Sequence, residues 1–304
     1  MGKELEAINT LFFLKKSKLF LIKSYLFKMT LLLNKLYNSF SNSIVLWWHN
    51  NDGTFNFGDE LNPYLISRVS KKRVLRAQSL WNRFQIRKIY VCIGSVISKA
   101  NKNTIVWGAG IISRDEIIRD SIYLAVRGPL TQQRMIECGI TPPDVVGDPA
   151  LLLPLYYQPK TTKKYMLGII PHIIDFELVK NQLQENNEIV LIDFTKNIEN
   201  TIDLICSCET IISSSLHGII VANAYNIPAI WVAFSNQLAG DDVKFYDYFL
   251  SVGENEKIEK ISIDIELLNT NLLNSLRKFS KIIHPKKESI DTIQKNLLSC
   301  VPFN

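Results

Sequence analysis

The residues best suited to chemistry in this chain form a run of six, Ser213-Ser214-Ser215-Leu216-His217-Gly218. An apolar strand pattern leads into the run and a helical pattern begins at Leu216. Free N–H groups at a helix start, three hydroxyls and one imidazole would meet there, making an anion cradle with a titratable group inside it. The ordinary reading of the same residues is a serine-capped helix with a hydrogen-bonded core histidine. Arg127 has a similar double reading. It ends the apolar run Ile122–Val126 and precedes Gly128-Pro129. Pointing into a crevice, its guanidinium suits a phosphate or carboxylate; pointing inward, it would only fix the following loop. Asp59 and Asp148 follow glycines, where a carboxylate can act as a base or cap a turn. His49 and His172 follow strand patterns and could face a crevice, whereas His284 falls in a polar helical region.

These residues need elements to position them. Strand patterns cover 44–48, 88–93, 104–107 and 122–126, and again 165–170, 188–194, 210–212 and 229–232. Helical patterns cover 58–69, a stretch from Pro129 to near Gly139, then 175–184, 198–206 and 216–225. Strands alternating with helices predict parallel sheets of βαβ units. Ligands bind beyond the carboxyl ends of such strands. Glycines and polar residues mark those ends: Asn56 and Gly58, Gly94 and Ser95, Gly108 and Gly110, Gly147 and Asp148. Gly108-Ala109-Gly110 is not a dinucleotide fingerprint, because Ile111, Ile112 and Ser113 follow it. The predicted organisation is a leader (1–43), a Rossmann-like domain (44–153), a linker (154–164), a second such domain facing the first across a cleft (165–260), and surface helices (261–304).

Length and charge agree with a two-domain enzyme body. The chain has 304 residues and a net charge of +6. Residues 1–40 hold seven Lys and two Glu, so that segment accounts for +5 and the remaining residues for +1. A nearly neutral body disfavours a nucleic-acid partner. In the leader, lysines at 15, 16, 18, 23, 28 and 35 interrupt every apolar run, against both a membrane span and a signal peptide. The remaining readings are a segment lying on an anionic membrane surface and a packed helix with lysines at its edge. Five irregularly spaced cysteines read as unpaired thiols in a reducing, cytoplasmic compartment.

Taken in order, several motifs resemble the polysaccharide pyruvyl transferase family. They are Asn56-Phe57-Gly58-Asp59-Glu60-Leu61-Asn62-Pro63, Gly94-Ser95-Val96, Val106-Trp107-Gly108-Ala109-Gly110, Ala125-Val126-Arg127-Gly128-Pro129-Leu130-Thr131, Gly147-Asp148-Pro149-Ala150 and Ser213–Gly218. The resemblance spans about residues 44–250, and the first motif looks like the exopolysaccharide branch. It implies a GT-B-like α/β fold. It also implies transfer of pyruvate from phosphoenolpyruvate onto two hydroxyls of a sugar in a cell-surface polysaccharide or its precursor, forming a ketal and releasing phosphate. Arg127, Leu216 and His217 would belong to the donor site, with Lys244 as a further contact. His217 would act as general acid, Arg127 would stabilise the departing phosphate, and Asp59 would deprotonate the sugar. Asn56, Gly58, Gly94, Ser95, Gly108, Gly110, Ser213, Ser214, Ser215 and Gly218 would line the substrates. No metal and no cofactor is expected beyond phosphoenolpyruvate as donor substrate. The acceptor, free or lipid-linked, would be met at the inner face of the cytoplasmic membrane. Two other readings compete: a GT-B glycosyltransferase using a nucleotide-sugar donor, and a non-catalytic scaffold of polysaccharide assembly.

Overall fold

The computed structural model describes residues 29–30, 43–49, 55–77, 87–183, 186–254 and 258–303. The chain divides into two compact units, residues 1–43 and 44–304. The expected membrane-surface leader lies almost wholly outside the described residues. No helix among the described residues is long and apolar enough to cross a membrane.

Two five-stranded sheets organise residues 43–262. The first contains β1 (Ser43–Trp47), β2 (Arg73–Arg76), β3 (Ile89–Val91), β4 (Thr104–Trp107) and β5 (Ile122–Ala125), in the order β2-β1-β3-β4-β5. The second contains β6 (Tyr165–Ile170), β7 (Ile189–Leu191), β8 (Cys208–Ser213), β9 (Ala229–Ala233) and β10 (Ile261–Ser262), in the order β10-β9-β8-β6-β7. β1, β3, β4 and β5 run parallel, as do all five strands of the second sheet. Counted from its own first strand, each sheet has the same arrangement: the chain steps one way to its second strand, then returns to lay down the third, fourth and fifth on the other side. The strand order therefore reverses between β1 and β3 and again between β6 and β8. In doubly wound sheets, ligands bind at that reversal.

Helices fill the connections. α1 (Phe57–Ser70) starts where the Asn56 side chain accepts the Gly58 N–H, and ends at Lys71 in a left-handed conformation. α2 (Pro129–Glu137) starts on proline, whose missing N–H is not needed there. α3 (Phe176–Gln182), α4 (Ile198–Cys206) and α5 (Leu216–Ala224) follow. α5 is apolar almost all round and buries Leu216, Ile219, Ile220 and Val221, as a helix inside a core must. α6 (Val243–Ser251), α7 (Thr270–Phe279) and α8 (Lys287–Ser299) complete the set.

One hydrophobic core serves both sheets. It runs from Leu46 and Trp107 through Leu61 and Leu65 of α1 and the 3-10 turn Pro149–Leu155 to Ile219, Ile220 and Trp231. The expected surface placement of residues 261–304 is corrected in two ways. Ile261–Ser262 extends the second sheet as β10. α8 is a core helix: Ile290, Ile293 and Leu297 are buried, and the carbonyl of Leu297 accepts the Trp107 indole N–H at 3.1 Å. The apolar side chains of α8 recur every three or four residues, and that stripe is what seats it.

Candidate active site

Both reversals of strand order open onto one cavity of about 330 Å3. From the first sheet come His49, past the end of β1, and Gly94 and Ser95, past β3. From the second come His172, past β6, and Ser215, past β8. The first turns of two helices complete the wall: Asn56, Gly58 and Asp59 of the α1 start, and Leu216 and His217 of α5. Lys244, on α6, closes one side. Among the described residues no side chain caps α5, so its first N–H groups and its dipole are available to an anion.

His217 is the centre of this arrangement. Its side chain is 14% exposed and packs on Gly58, where a Cβ would fall 2.4 Å from Nδ1. The space left by Gly58 is therefore the seat of the imidazole. Burial, helped by the cations Arg127 and Lys244, pushes the His217 pKa down to about 3. The ring is neutral at pH 7. Asp59 moves the opposite way: burial, then the adjacent Glu60, raises its carboxyl to about 7. His172 is pushed down to about 4 by burial and Lys244. Lys244 has its pKa lowered by burial and by Arg127, although Asp242 opposes the shift. Its ammonium has a long contact to the Ala239 carbonyl, 3.4 Å, and forms no ion pair among the described residues.

Arg127 does not reach the cavity. It is fully buried beneath it, with all three nitrogens engaged. Nε donates to Asp247 Oδ2 at 3.0 Å, Nη1 to Ser95 Oγ at 2.7 Å and Nη2 to the Ile111 carbonyl at 2.7 Å. Asp247, a residue that sequence reading misses, also accepts the Thr131 N–H at 2.9 Å and the Thr131 hydroxyl at 2.7 Å. Among the described residues, the cation lining the cavity is Lys244, one turn along α6 from Asp247; Arg127 acts from beneath, through its hydrogen bond to Ser95 and through its charge on His217 and Lys244.

Several other expected contacts are corrected in the same way. Gly110 faces the Arg127 guanidinium, which a Cβ would approach to 2.5 Å, and Gly108, at φ +97°, makes room for Pro149. Neither lines the cavity. Ser213 spends its hydroxyl on the Ile170 and Ser215 carbonyls and the Ser215 N–H. Ser214 accepts the His172 N–H at 2.8 Å. Gly218 packs on Ser213, so of the three serines only Ser215 opens to the cavity. His284 is remote, 3.0 Å from Asn226. The apolar wall includes Ile112, Ile173 and Phe194, which carry no motif in the sequence. Among the described residues, no cluster of three or more His, Cys, Asp or Glu is placed to hold a metal ion.

Comparison with known proteins gives this geometry a context. A family model described as polysaccharide pyruvyl transferase matches residues 56–236. An uncharacterized protein of Acanthamoeba polyphaga mimivirus is 30% identical over 241 residues, which is 75% of this chain and 81% of that protein. Among solved structures, an uncharacterized protein of Klebsiella pneumoniae is similar with a TM-score of 0.42 and 13% identity, over 77% of this chain and 97% of that one. The glycosyltransferase SnogD of Streptomyces nogalater gives a TM-score of 0.34 and 11% identity, over 73% of this chain and 71% of that one.

Proposed function

Because this chain belongs to the polysaccharide pyruvyl transferase family, we propose that it transfers pyruvate from phosphoenolpyruvate to two hydroxyls of one saccharide residue, with release of phosphate. We read the two sheets as Rossmann-like halves of a GT-B-like arrangement, with residues 154–164 as their connection. The observation that carries the reaction is the pair His217 and Asp59, facing one cavity with pKa values displaced in opposite directions. Pairs separated in this way identify an acid and a base.

The donor carries a phosphate and a carboxylate, and three features favour anions in the cavity. Lys244 supplies a cation, α5 supplies N–H groups, and Ser95 supplies a hydroxyl whose oxygen already accepts from Arg127. The protons follow from the displaced pair. Asp59, with its carboxyl raised to about 7, is protonated in a large fraction of molecules at neutral pH and delivers that proton to the methylene carbon of the donor. Neutral His217 removes the proton of the first sugar hydroxyl as its oxygen bonds to the central carbon. The bond from that carbon to the phosphate oxygen then breaks, and the imidazolium returns its proton to the departing phosphate. As the second hydroxyl closes the ketal, its proton passes to the Asp59 carboxylate. Both residues end as they began, and one sugar proton leaves on phosphate. This exchanges the roles expected from sequence, where His217 was the acid and Asp59 the base. The donor's negative charge reinforces the exchange: it keeps Asp59 protonated and makes proton uptake by His217 easier.

The test uses the full chain with phosphoenolpyruvate and a panel of oligosaccharides, followed by phosphate assay and acceptor mass. The expected acceptor product is heavier by one pyruvate less one water. Phosphoenolpyruvate alone should raise the melting temperature. Failure of the donor to bind, or release of a nucleoside diphosphate from a nucleotide sugar with no ketal, overturns the proposal.

Gly58→Ala tests the seat of the imidazole. Alanine normally favours a helix over glycine by about 1 kcal/mol. Here the added methyl meets Nδ1 at 2.4 Å, and the ring must move. Turnover should fall at least about tenfold, since a 1 Å displacement of a reacting group is costly. A Gly58→Ala protein that is more stable and equally active would remove the ring from the mechanism.

A further inference from the structure

Two buried polar atoms beneath the cavity face each other without a hydrogen bond. Asp148 Oδ2 and His217 Nε2 are both enclosed, neither has a hydrogen-bond partner among the described residues, and they lie 3.9 Å apart. The other carboxylate oxygen is fixed. Asp148 caps the 3-10 turn Pro149–Leu155, and its Oδ1 accepts the Ala150 N–H at 2.9 Å. The backbone before it is wedged: Gly147 is at φ +147°, and a Cβ there would meet Ile293 of α8 at 2.4 Å. The carboxylate is thus held by its own loop while its free oxygen is aimed at the imidazole. His217 lines the cavity with Nε2 turned inward, so Nδ1 is the ring nitrogen on the Gly58 side.

We infer that Asp148 is a positioning residue for the transfer: it accepts the Nε2–H of His217, fixes the tautomer that leaves a lone pair on Nδ1, and supplies the counter-charge when Nδ1 takes a proton. The inference rests on the transferase reading above. The charges around the ring show why a counter-charge is needed. Arg127 at the end of β5 and Lys244 on α6 both oppose an imidazolium. His172, past β6, is neutral at pH 7, the Asp59 carboxyl on α1 is raised to about 7 and so carries only part of a charge, and Asp247 on α6 is committed to Arg127 and Thr131. Among the described residues, Asp148, which burial raises to about 6 and which is still mostly ionised at pH 7, is the carboxylate left to balance the ring. A separation of 3.9 Å is about 1 Å beyond a hydrogen bond, and such contacts commonly close only with substrate bound. No proton passes to Asp148: the Nε2 proton stays on the ring while Nδ1 receives the hydroxyl proton and later yields it to phosphate.

The experiment separates this inference from the reading beneath it. The full chain is labelled with 15N-histidine; it has four histidines, and His217→Gln identifies the signal of interest. The ligand-free protein at pH 7 should show His217 protonated on Nε2 and bare on Nδ1. Asp148→Asn retains an oxygen for Ala150 but presents an amide donor to Nε2, and should move the proton to Nδ1. With phosphoenolpyruvate and a saccharide acceptor, kcat of Asp148→Asn should fall about 10²–10⁴-fold, the range for a misplaced tautomer or a lost base. KM for the donor should change less than about threefold, because Asp148 does not touch it. The double variant Asp148→Asn/His217→Gln should be no slower than His217→Gln alone. A wild-type ring carrying its proton on Nδ1 overturns the inference, and this readout needs no variant to fold. An unchanged kcat in Asp148→Asn, or losses that add in the double variant, also overturns it. If the tautomer behaves as expected and the wild type transfers no pyruvate, the pairing stands and the transferase reading falls.

Discussion

Asp59→Asn should abolish most turnover and stabilise the fold at pH 8 in the same protein. The catalytic loss follows from removing the proton delivered to the methylene carbon, an effect of about 10²–10⁴ in kcat. The stability gain follows from linkage. The Asp59 pKa is raised from 3.8 to about 7 in the folded chain, so the native state holds a proton that the unfolded chain has released. Its contribution is fully present below pH 4 and is lost as pH rises through 7. A difference of this size sets an upper limit of about 4 kcal/mol, and partial contact with solvent lowers that to roughly 2–4 kcal/mol. Asparagine does not titrate. Variant and wild type should therefore unfold alike near pH 4 and diverge progressively up to pH 8. Denaturant titrations at both pH values check this. Equal stability differences at the two pH values would show that Asp59 is not a displaced acid. In the wild type, kcat/KM should also decline above about pH 7 as the required proton is lost.

Arg127→Met should unfold the protein or leave it barely folded. The arginine lies opposite Asp247 with both side chains fully enclosed. Removing one partner strands the other charge in the interior, at about 3–5 kcal/mol. Whole-domain stabilities are about 5–15 kcal/mol, so a large fraction is lost. Arg127→Lys should rescue little, because one ammonium cannot reach Asp247, Ser95 and the Ile111 carbonyl as the three guanidinium nitrogens do. Arg127→Met/Asp247→Leu, which removes both charges, should recover much of the stability and little of the activity. Ser95 would lose its donor, and the helix that aims Lys244 would lose its tether. Chemical denaturation of the single and double variants decides the point. A stable Arg127→Met with only a raised donor KM would restore the arginine to direct contact with the donor.

Much of the fold was legible because its strands are short apolar runs halted by glycine or a polar turn. Thr104–Trp107, Tyr165–Ile170 and Ile198–Cys206 fall where their residue patterns put them. β2, with arginine at both ends, and the two-residue β10 are edge strands that bury little and so carry little pattern. The α8 sequence reads as surface because its polar residues outnumber the apolar ones, although Ile290, Ile293 and Leu297 repeat at helical spacing. At the candidate site, strand ends indicated the neighbourhood but not the direction of each side chain. Ser213 and Ser215 differ in fate because only the second clears the sheet, and Arg127 turns inward because Asp247 waits 120 residues later. Asp247 had a faint signal, three residues beyond Lys244 and so on the same helical face.

The seating of α8 also sets a timetable for biosynthesis. Trp107 in the first sheet is completed by the carbonyl of Leu297, 190 residues downstream, and Phe303 packs edge-on against the same indole. At about 5–20 residues per second, the ribosome needs roughly 10–40 s to bridge that interval. For that time the nascent first sheet exposes apolar surface around Trp107 to solvent. The order in which the polypeptide emerges thus makes the earliest sheet among the last parts to be sealed.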